Sequence, residues 1–211
     1  MLKIKVCGIT DPVNASKVAG TGPDYMGFIF HPASKRYVGP VPDTTLFSRI
    51  PCGILKTGVF VNEHPGIITA TVLDYGLDIV QLHGNESPGY CRSLREAGLK
   101  IIKAFRMNPE FNFRILQSYE ETCEYFLFDT FTESGGGSGL KFDWKILDNY
   151  LHDKPFFLSG GIGPGDIQKI KEIRHFSFLG VDINSRFEIS PGIKDHRKVD
   201  DFIKLVKNSE L

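Results

Sequence analysis

Reactive side chains recur at one kind of place in this 211-residue chain, the C-terminal end of a short apolar run. In order they are Cys7, Phe30-His31, Asn62-Glu63, His83, Arg106, Asp129, Ser159-Gly160-Gly161 and Asp182 to Arg186. Thiol, imidazole and carboxylate groups brought together from such ends can exchange protons with a substrate. Glycine-rich turns can lay backbone N–H groups against an anion. Taken singly, each residue has an ordinary alternative. Cys7 could be an inert buried thiol, Asp129 a turn cap and His83 a histidine satisfied at a loop edge. A metal is not expected. Of the six histidines only His31 and His83 end such runs, and the chain has neither an H-x-x-x-H spacing nor a C-x-x-C pair.

The anion signal is stronger. Ser159-Gly160-Gly161-Ile162-Gly163-Pro164 follows the seventh run and leads into a helical pattern, and Asp182-Ile183-Asn184-Ser185 follows the eighth. Glycines there let backbone approach a ligand closely, without a lysine.

The runs that must position these groups are 3–9, 25–30, 55–61, 79–84, 100–106, 125–130, 155–161 and 178–185, all rich in Val, Ile and Phe. Helical periodicity fills the gaps. It is clearest at Val199, Phe202, Ile203 and Val206 behind Asp195 as a cap, and at Ile167, Ile170 and Ile173 behind Pro164 and Asp166. Ile68, Val72 and Tyr75 mark another helix, while 43–50 is short and poorly periodic. Strand alternating with helix predicts a parallel sheet, and eight units about 25 residues apart fit a (β/α)8 TIM barrel of the α/β class. An open doubly wound sheet is the alternative. Parity favours the barrel: Lys3, Lys5 and Cys7 share one face of the first strand, Gln81 and His83 share one in the fourth, and Lys103 is the odd polar residue of the fifth. A polar-tolerant face in each strand suits a barrel interior that leads to a site, where the C-terminal strand ends carry the chemistry.

Length predicts one domain over 1–211, with a core large enough to need no disulfide. Lys plus Arg and Asp plus Glu both number 25, so the formal net charge is zero. That balance argues against wrapping a nucleic-acid backbone or an acidic membrane. The four cysteines are dispersed, no signal segment is evident, and the cytoplasm, with free thiols, is the expected setting.

Several blocks in order resemble the phosphoribosylanthranilate isomerase family of tryptophan biosynthesis. They are Lys5-Val6-Cys7-Gly8-Ile9-Thr10, Gly27-Phe28-Ile29-Phe30 with Ser34-Lys35-Arg36-Tyr37-Val38, and Gly58-Val59-Phe60-Val61-Asn62. Val80-Gln81-Leu82-His83-Gly84, then Phe128-Asp129-Thr130 with Gly136-Gly137-Ser138-Gly139 and Phe142-Asp143-Trp144, follow. Ser159-Gly160-Gly161-Ile162, Gly180-Val181-Asp182 and Ser190-Pro191-Gly192-Ile193-Lys194-Asp195 close the set. The resemblance implies an Amadori rearrangement with no metal or organic cofactor, by a monomer or homodimer that takes a small phosphosugar-anthranilate and binds neither nucleic acid nor membrane. It also implies roles: Cys7 as general base, Asp129 as general acid, and Arg36 on the anthranilate carboxylate. His83 and Asp182 would line the site, with Gly160, Gly161, Asn184 and Ser185 at the phosphate.

That chemistry makes a demand of the site. At pH 7 an unperturbed cysteine is about 3% thiolate and an unperturbed aspartic acid about 0.1% protonated. The productive pair would then be populated at roughly 2 × 10⁻⁵, a handicap near 6 kcal/mol. Cys7 therefore calls for nearby positive charge, with in-phase Lys5 the candidate. Asp129 calls for desolvation, with Leu127 and Phe131 beside it. One departure from the family pattern stands after the eighth strand, where Arg186 replaces an expected glycine; it either meets the phosphate or faces solvent. The Gly135–Gly139 loop reads as a lid or as a passive connector. The rivals are another phosphopentose isomerase or epimerase on the same scaffold, a silent phosphate-ligand binder, and a thiol redox role for Cys7.

Overall fold

The computed structural model describes residues 1–130 and 143–207. Eight parallel strands form a closed barrel: β1 (Lys3–Cys7), β2 (Tyr25–Ile29), β3 (Leu55–Phe60), β4 (Ile79–Leu82), β5 (Ile101–Met107), β6 (Tyr125–Thr130), β7 (Phe156–Leu158) and β8 (Phe178–Ile183). Each strand pairs with its successor, and β8 returns to β1 through Lys3↔Gly180, Ile4↔Val181 and Lys5↔Asp182. Closure settles the choice between barrel and open sheet. Around it lie α1 (Pro12–Ala19), α2 (Thr45–Ser48), α3 (Pro65–Tyr75), α4 (Pro88–Glu96), α5 (Ile167–Glu172) and α6 (His196–Lys207). The segments Phe113–Thr122 and Trp144–Asn149 are 3₁₀ instead of α. The poorly periodic stretch 43–50 holds only the single turn α2.

Local signals explain the helix starts. The Asp11 carboxylate accepts from Asn14 N, Ser87 Oγ from Tyr90 N and Asp195 Oδ1 from Lys198 N, the last of these the cap expected from sequence. Proline opens α1, α3 and α4, where its missing N–H costs nothing. α6 buries Val199, Phe202, Ile203 and Val206, as its spacing predicts. The Pro164–Asp166 stretch forms one 3₁₀ turn before α5.

Two apolar layers result. Tyr25, Ile79, Ile102, Ala104, Leu127 and Phe157 fill the barrel interior. A larger shell between sheet and helices holds Phe28, Phe60, Phe126, Phe128 and Phe156. Each fully buried phenyl contributes roughly 2–3 kcal/mol. This layering corrects the reading of β5. Ile102 and Ala104 face inward, so Lys103 points outward, beneath the β4–α4 loop. There its ammonium donates to Gly84 O at 2.8 Å, to Ala104 O at 3.0 Å and to Glu86 Oε2 at 3.0 Å. A second unforeseen feature is a small hairpin after β8, β9 (Glu188–Ser190) with β10 (Ile193–Lys194). Among the described residues no helix is long and apolar enough to cross a membrane.

Candidate active site

The inner face of β1 carries Lys5 and Cys7 upward, and both are buried. Room for the thiol comes from β2: a Cβ on Gly27 would lie 2.6 Å from Cys7 Sγ, so only glycine fits opposite it. Lys5 Nζ donates to Asp182 Oδ1 on β8 at 3.0 Å, and both side chains are almost completely buried. Burial opposes the Lys5 charge, but Asp182 and the Cys7 sulfur outweigh it and raise the Lys5 pKa.

Cys7 itself departs from expectation. Burial pushes its thiol pKa up, and the pull of Lys5 and of Lys194 only partly offsets this. Lys5 stands where parity put it, but its charge is committed to Asp182.

Asp129, near the end of β6, also moves against expectation. Burial raises its carboxyl, but hydrogen bonds from His83, Ser159 and the Thr130 N–H more than cancel that, and its pKa is lowered. His83 Nε2 lies 3.1 Å from Asp129 Oδ2, and Thr130 N donates to Asp129 Oδ1 at 3.0 Å. Leu127 lies on the same inner face, as its parity with Asp129 requires; Phe131 and the Gly135–Gly139 loop lie outside the described residues. The expected division, thiol down and carboxyl up, is therefore reversed. Hydrogen-bond donors surround Asp129, whereas an apolar wall was expected.

Behind His83 stands Gln81, one inward position lower on β4, with Nε2 2.8 Å from His83 Nδ1. Gln81 is 1% exposed, and its Oε1 has no partner among the described residues. Asp182 feels Lys5 and Cys7 on one side and Asp129 and His83 on the other. Strands β1, β4, β6 and β8 thus deliver Cys7, His83, Asp129 and Asp182 to one mouth.

Arg36, on the loop after β2, is held by a residue from beyond β8, on the other side of β1. Its Nε and Nη2 donate to Glu188 Oε1 and Oε2 at 2.8 and 2.7 Å, a bidentate fork. The same Glu188 accepts from Lys194 Nζ at 2.7 Å, and Lys194 also donates to Asn184 Oδ1 at 2.5 Å. Burial drives the Lys194 pKa down to about 8, against the pull of Glu188. On Glu188 burial acts upward, but Arg36 and Lys194 win and hold its carboxyl below the usual range. Asn14 of α1 clamps the Lys194 backbone from both sides, at 2.8 Å each. Sequence reading missed Glu188 and Lys194 as site residues; the only signal was their place in and beside the Ser190–Asp195 block.

At the proposed anion turns, Gly160 and Gly161 have φ of +92° and +66°, and a Cβ on Gly160 would collide with Thr130 Oγ1 at 2.2 Å. Ser185 opens a short 3₁₀ turn, Ser185–Phe187. The stem of Arg186 runs over Gly163, whose ideal Cβ would lie 3.4 Å from Arg186 Cβ. Arg186 therefore flanks the glycine turn after β7. No group of three His, Cys, Asp or Glu among the described residues could hold a metal ion.

Residues 4–205 match the family model described as N-(5′-phosphoribosyl)anthranilate (PRA) isomerase. The chain belongs to this family. A relative from Phocaeicola vulgatus named N-(5′-phosphoribosyl)anthranilate isomerase is 42% identical, over 97% of each chain. Among solved structures, phosphoribosyl anthranilate isomerase from Thermotoga maritima superposes with a TM-score of 0.85 at 36% identity, covering 99% of this chain and 100% of that one. A further one, at TM-score 0.82 and 33% identity with the same coverage, is a phosphoribosyl anthranilate isomerase in complex with reduced 1-(o-carboxyphenylamino)-1-deoxyribulose 5-phosphate. Family membership makes the chain an isomerase on a TIM barrel.

Proposed function

We propose that this chain converts N-(5-phosphoribosyl)anthranilate to 1-(2-carboxyphenylamino)-1-deoxyribulose 5-phosphate, with Asp129 as general acid and Cys7 as general base. Asp129 gives a proton to the furanose oxygen as the C1′–O bond breaks, and the anilino nitrogen lone pair forms the C1′=N bond. Cys7 then takes the C2′ proton, and those electrons return to nitrogen through the new C1′=C2′ bond. The enolamine tautomerises to the ketone, so no proton is gained or lost overall. Arg36, with Nε and Nη2 engaged by Glu188, offers the rest of its fork to the anthranilate carboxylate. One anion between two cations leaves the Arg36–Glu188–Lys194 cluster net positive toward that carboxylate. Gly160, Gly161, Asn184 and Ser185 take the phosphate, and His83 and Asp182 line the mouth. The enzyme works in the cytoplasm on this small molecule, as a monomer or homodimer, without metal or cofactor.

The observation that supports this reading most is the position of Asp182, whose charge acts on Cys7 and on Asp129 alike, so that both side chains lie near one buried carboxylate. The aminobenzoate fluorescence of the substrate reports turnover. Cys7→Ala and Asp129→Asn are each expected to slow it by about 10²–10⁴-fold. Near-normal turnover in either variant would remove that residue from the mechanism.

A further inference from the structure

The geometry points to Gln81 as the residue that governs how His83 is protonated, and through His83 whether Asp129 holds the proton it must donate. The inference rests on Asp129 being the acid. Gln81 touches neither reacting atom, so it is a positioning residue.

Three observations set the problem. Gln81, His83 and Asp129 form an unbroken line, with steps of 2.8 and 3.1 Å. Gln81 is buried, and its carbonyl Oε1 has no partner among the described residues. The His83 contact is one of the effects that keep Asp129 ionised.

An amide nitrogen can only donate, so with Gln81 Nε2 on Nδ1 the imidazole accepts there and carries its single hydrogen on Nε2, directed at Asp129. In that arrangement His83 has no proton to yield, since losing Nε2–H would leave an imidazolate. Turning the Gln81 amide by 180° places Oε1 on Nδ1. A doubly protonated His83 then donates from both nitrogens, to Oε1 on one side and to Asp129 on the other; the carbonyl gains a partner and the amide nitrogen moves to the position where Oε1 had none. From this state the Nε2–H bond breaks as an Oδ2–H bond forms on Asp129. The imidazole stays neutral with its hydrogen on Nδ1, still held by Oε1, and Asp129 is left as the acid. A glutamine serves both states because its two ends are a donor and an acceptor.

The charged groups around His83 suit this exchange. Asp129 on β6 and Asp182 on β8 act on its charge, and the latter is tied to Lys5 of β1. Arg106 of β5 stands in register with Asp129. Nothing charged faces His83 from its own strand, so at Nδ1 the Gln81 amide is the partner, while the Asp129 carboxylate takes the hydrogen on Nε2.

The test pairs side-chain ¹H–¹⁵N spectra of His83 with pH–rate profiles for wild type, Gln81→Met and Gln81→Glu. Wild type is expected to show the Nε2–H tautomer of neutral His83. In Gln81→Glu the acceptor-only carboxylate should favour Nδ1–H and keep the imidazolium to higher pH by about one unit or more, moving the matching kcat limb with it. Gln81→Met, which neither donates nor accepts strongly, should lower kcat about tenfold or more while KM stays within about twofold. An unchanged His83 tautomer and an unmoved limb in Gln81→Glu, or a normal kcat in Gln81→Met, overturns the inference. Asp129→Asn separates the two levels: full activity there refutes Asp129 as acid, whereas the His83 spectra judge Gln81 whatever the turnover.

Discussion

Lys194 is completely buried, and burial lowers its pKa from 10.5 to about 8 despite the contact with Glu188. Between those values the unfolded chain binds a proton that the folded chain does not, so stability from this group rises with pH. The sign is that of a depressed base: burying the charge costs most below about pH 8, and the cost is relieved as pH approaches 10.5. A separation of about 2.5 pH units at about 1.4 kcal/mol each gives a gain of about 3 kcal/mol across the window. The perturbation is Lys194→Met, made in a Cys7→Ser background so that the neighbouring thiol does not titrate over the same range. Urea unfolding at intervals from pH 7 to 11 gives two stability curves whose difference isolates the lysine. The Lys194 protein should gain on the methionine variant by about 3 kcal/mol over that interval. A difference curve flat across pH 8 to 10.5 would refute the claim that the ammonium is held in the protein against its solvation.

Gly27→Ala should displace Cys7, because its Cβ would lie 2.6 Å from Sγ; a stability loss of about 1–3 kcal/mol and a larger loss of kcat than of KM are expected by urea melts and fluorescence kinetics. Lys103→Met leaves Glu86 buried with no cation, so denaturant melts should show a loss of about 3–5 kcal/mol, and Lys103→Met with Glu86→Gln should recover part of it. Asp129 is held below its usual pKa by His83, Ser159 and Thr130, so its stabilising contribution is present above the ordinary aspartate pKa and lost as pH falls through the folded value. Asp129→Asn should accordingly flatten the acid side of the stability curve below about pH 4, measured by thermal unfolding.

The barrel was legible because its evidence is periodic. Eight apolar runs at even spacing survive without knowledge of any contact, and so does the in-phase placing of Lys5 with Cys7 and of Gln81 with His83. Parity failed at β5 because Ile101 to Met107 is buried on both faces apart from Arg106, so one buried lysine among apolar neighbours marks neither face as inner. Lys103 turned outward because loop carbonyls and Glu86 were there to receive it. Glu188 and Lys194 were illegible for a different reason. A charged pair near the chain end reads as solvated surface, and only the β9–β10 hairpin, folded against the β1–α1 loop and α1, brings it to Arg36. The two 3₁₀ connections carry too few turns to show a period. Residue types at strand ends were thus readable, while the hydrogen bonds that decide their protonation were not.

That last gap bears on the chemistry. A thiol on Cys7 with a carboxylate on Asp129 holds the same number of protons as a thiolate with a carboxylic acid. Solution pH therefore cannot favour the productive pair over the unproductive one; only a change in surroundings can. In the mechanism proposed above, the substrate supplies one. Its anilino carboxylate draws on the Arg36 fork, and Glu188 then turns more fully to Lys194 and keeps that buried ammonium charged. Lys194 is one of three cations, with Lys5 and Arg36, that act on the Cys7 sulfur. Its sugar, filling the mouth, excludes water from Asp129 and adds to the burial that already pushes that carboxyl up. The donors that oppose burial at Asp129 must then yield, and His83 is first among them. On the inference above, a proton passed from His83 to Asp129 removes the strongest of those donors and neutralises the carboxylate to the acid in the same step, so the group that keeps Asp129 ionised is also the one placed to protonate it.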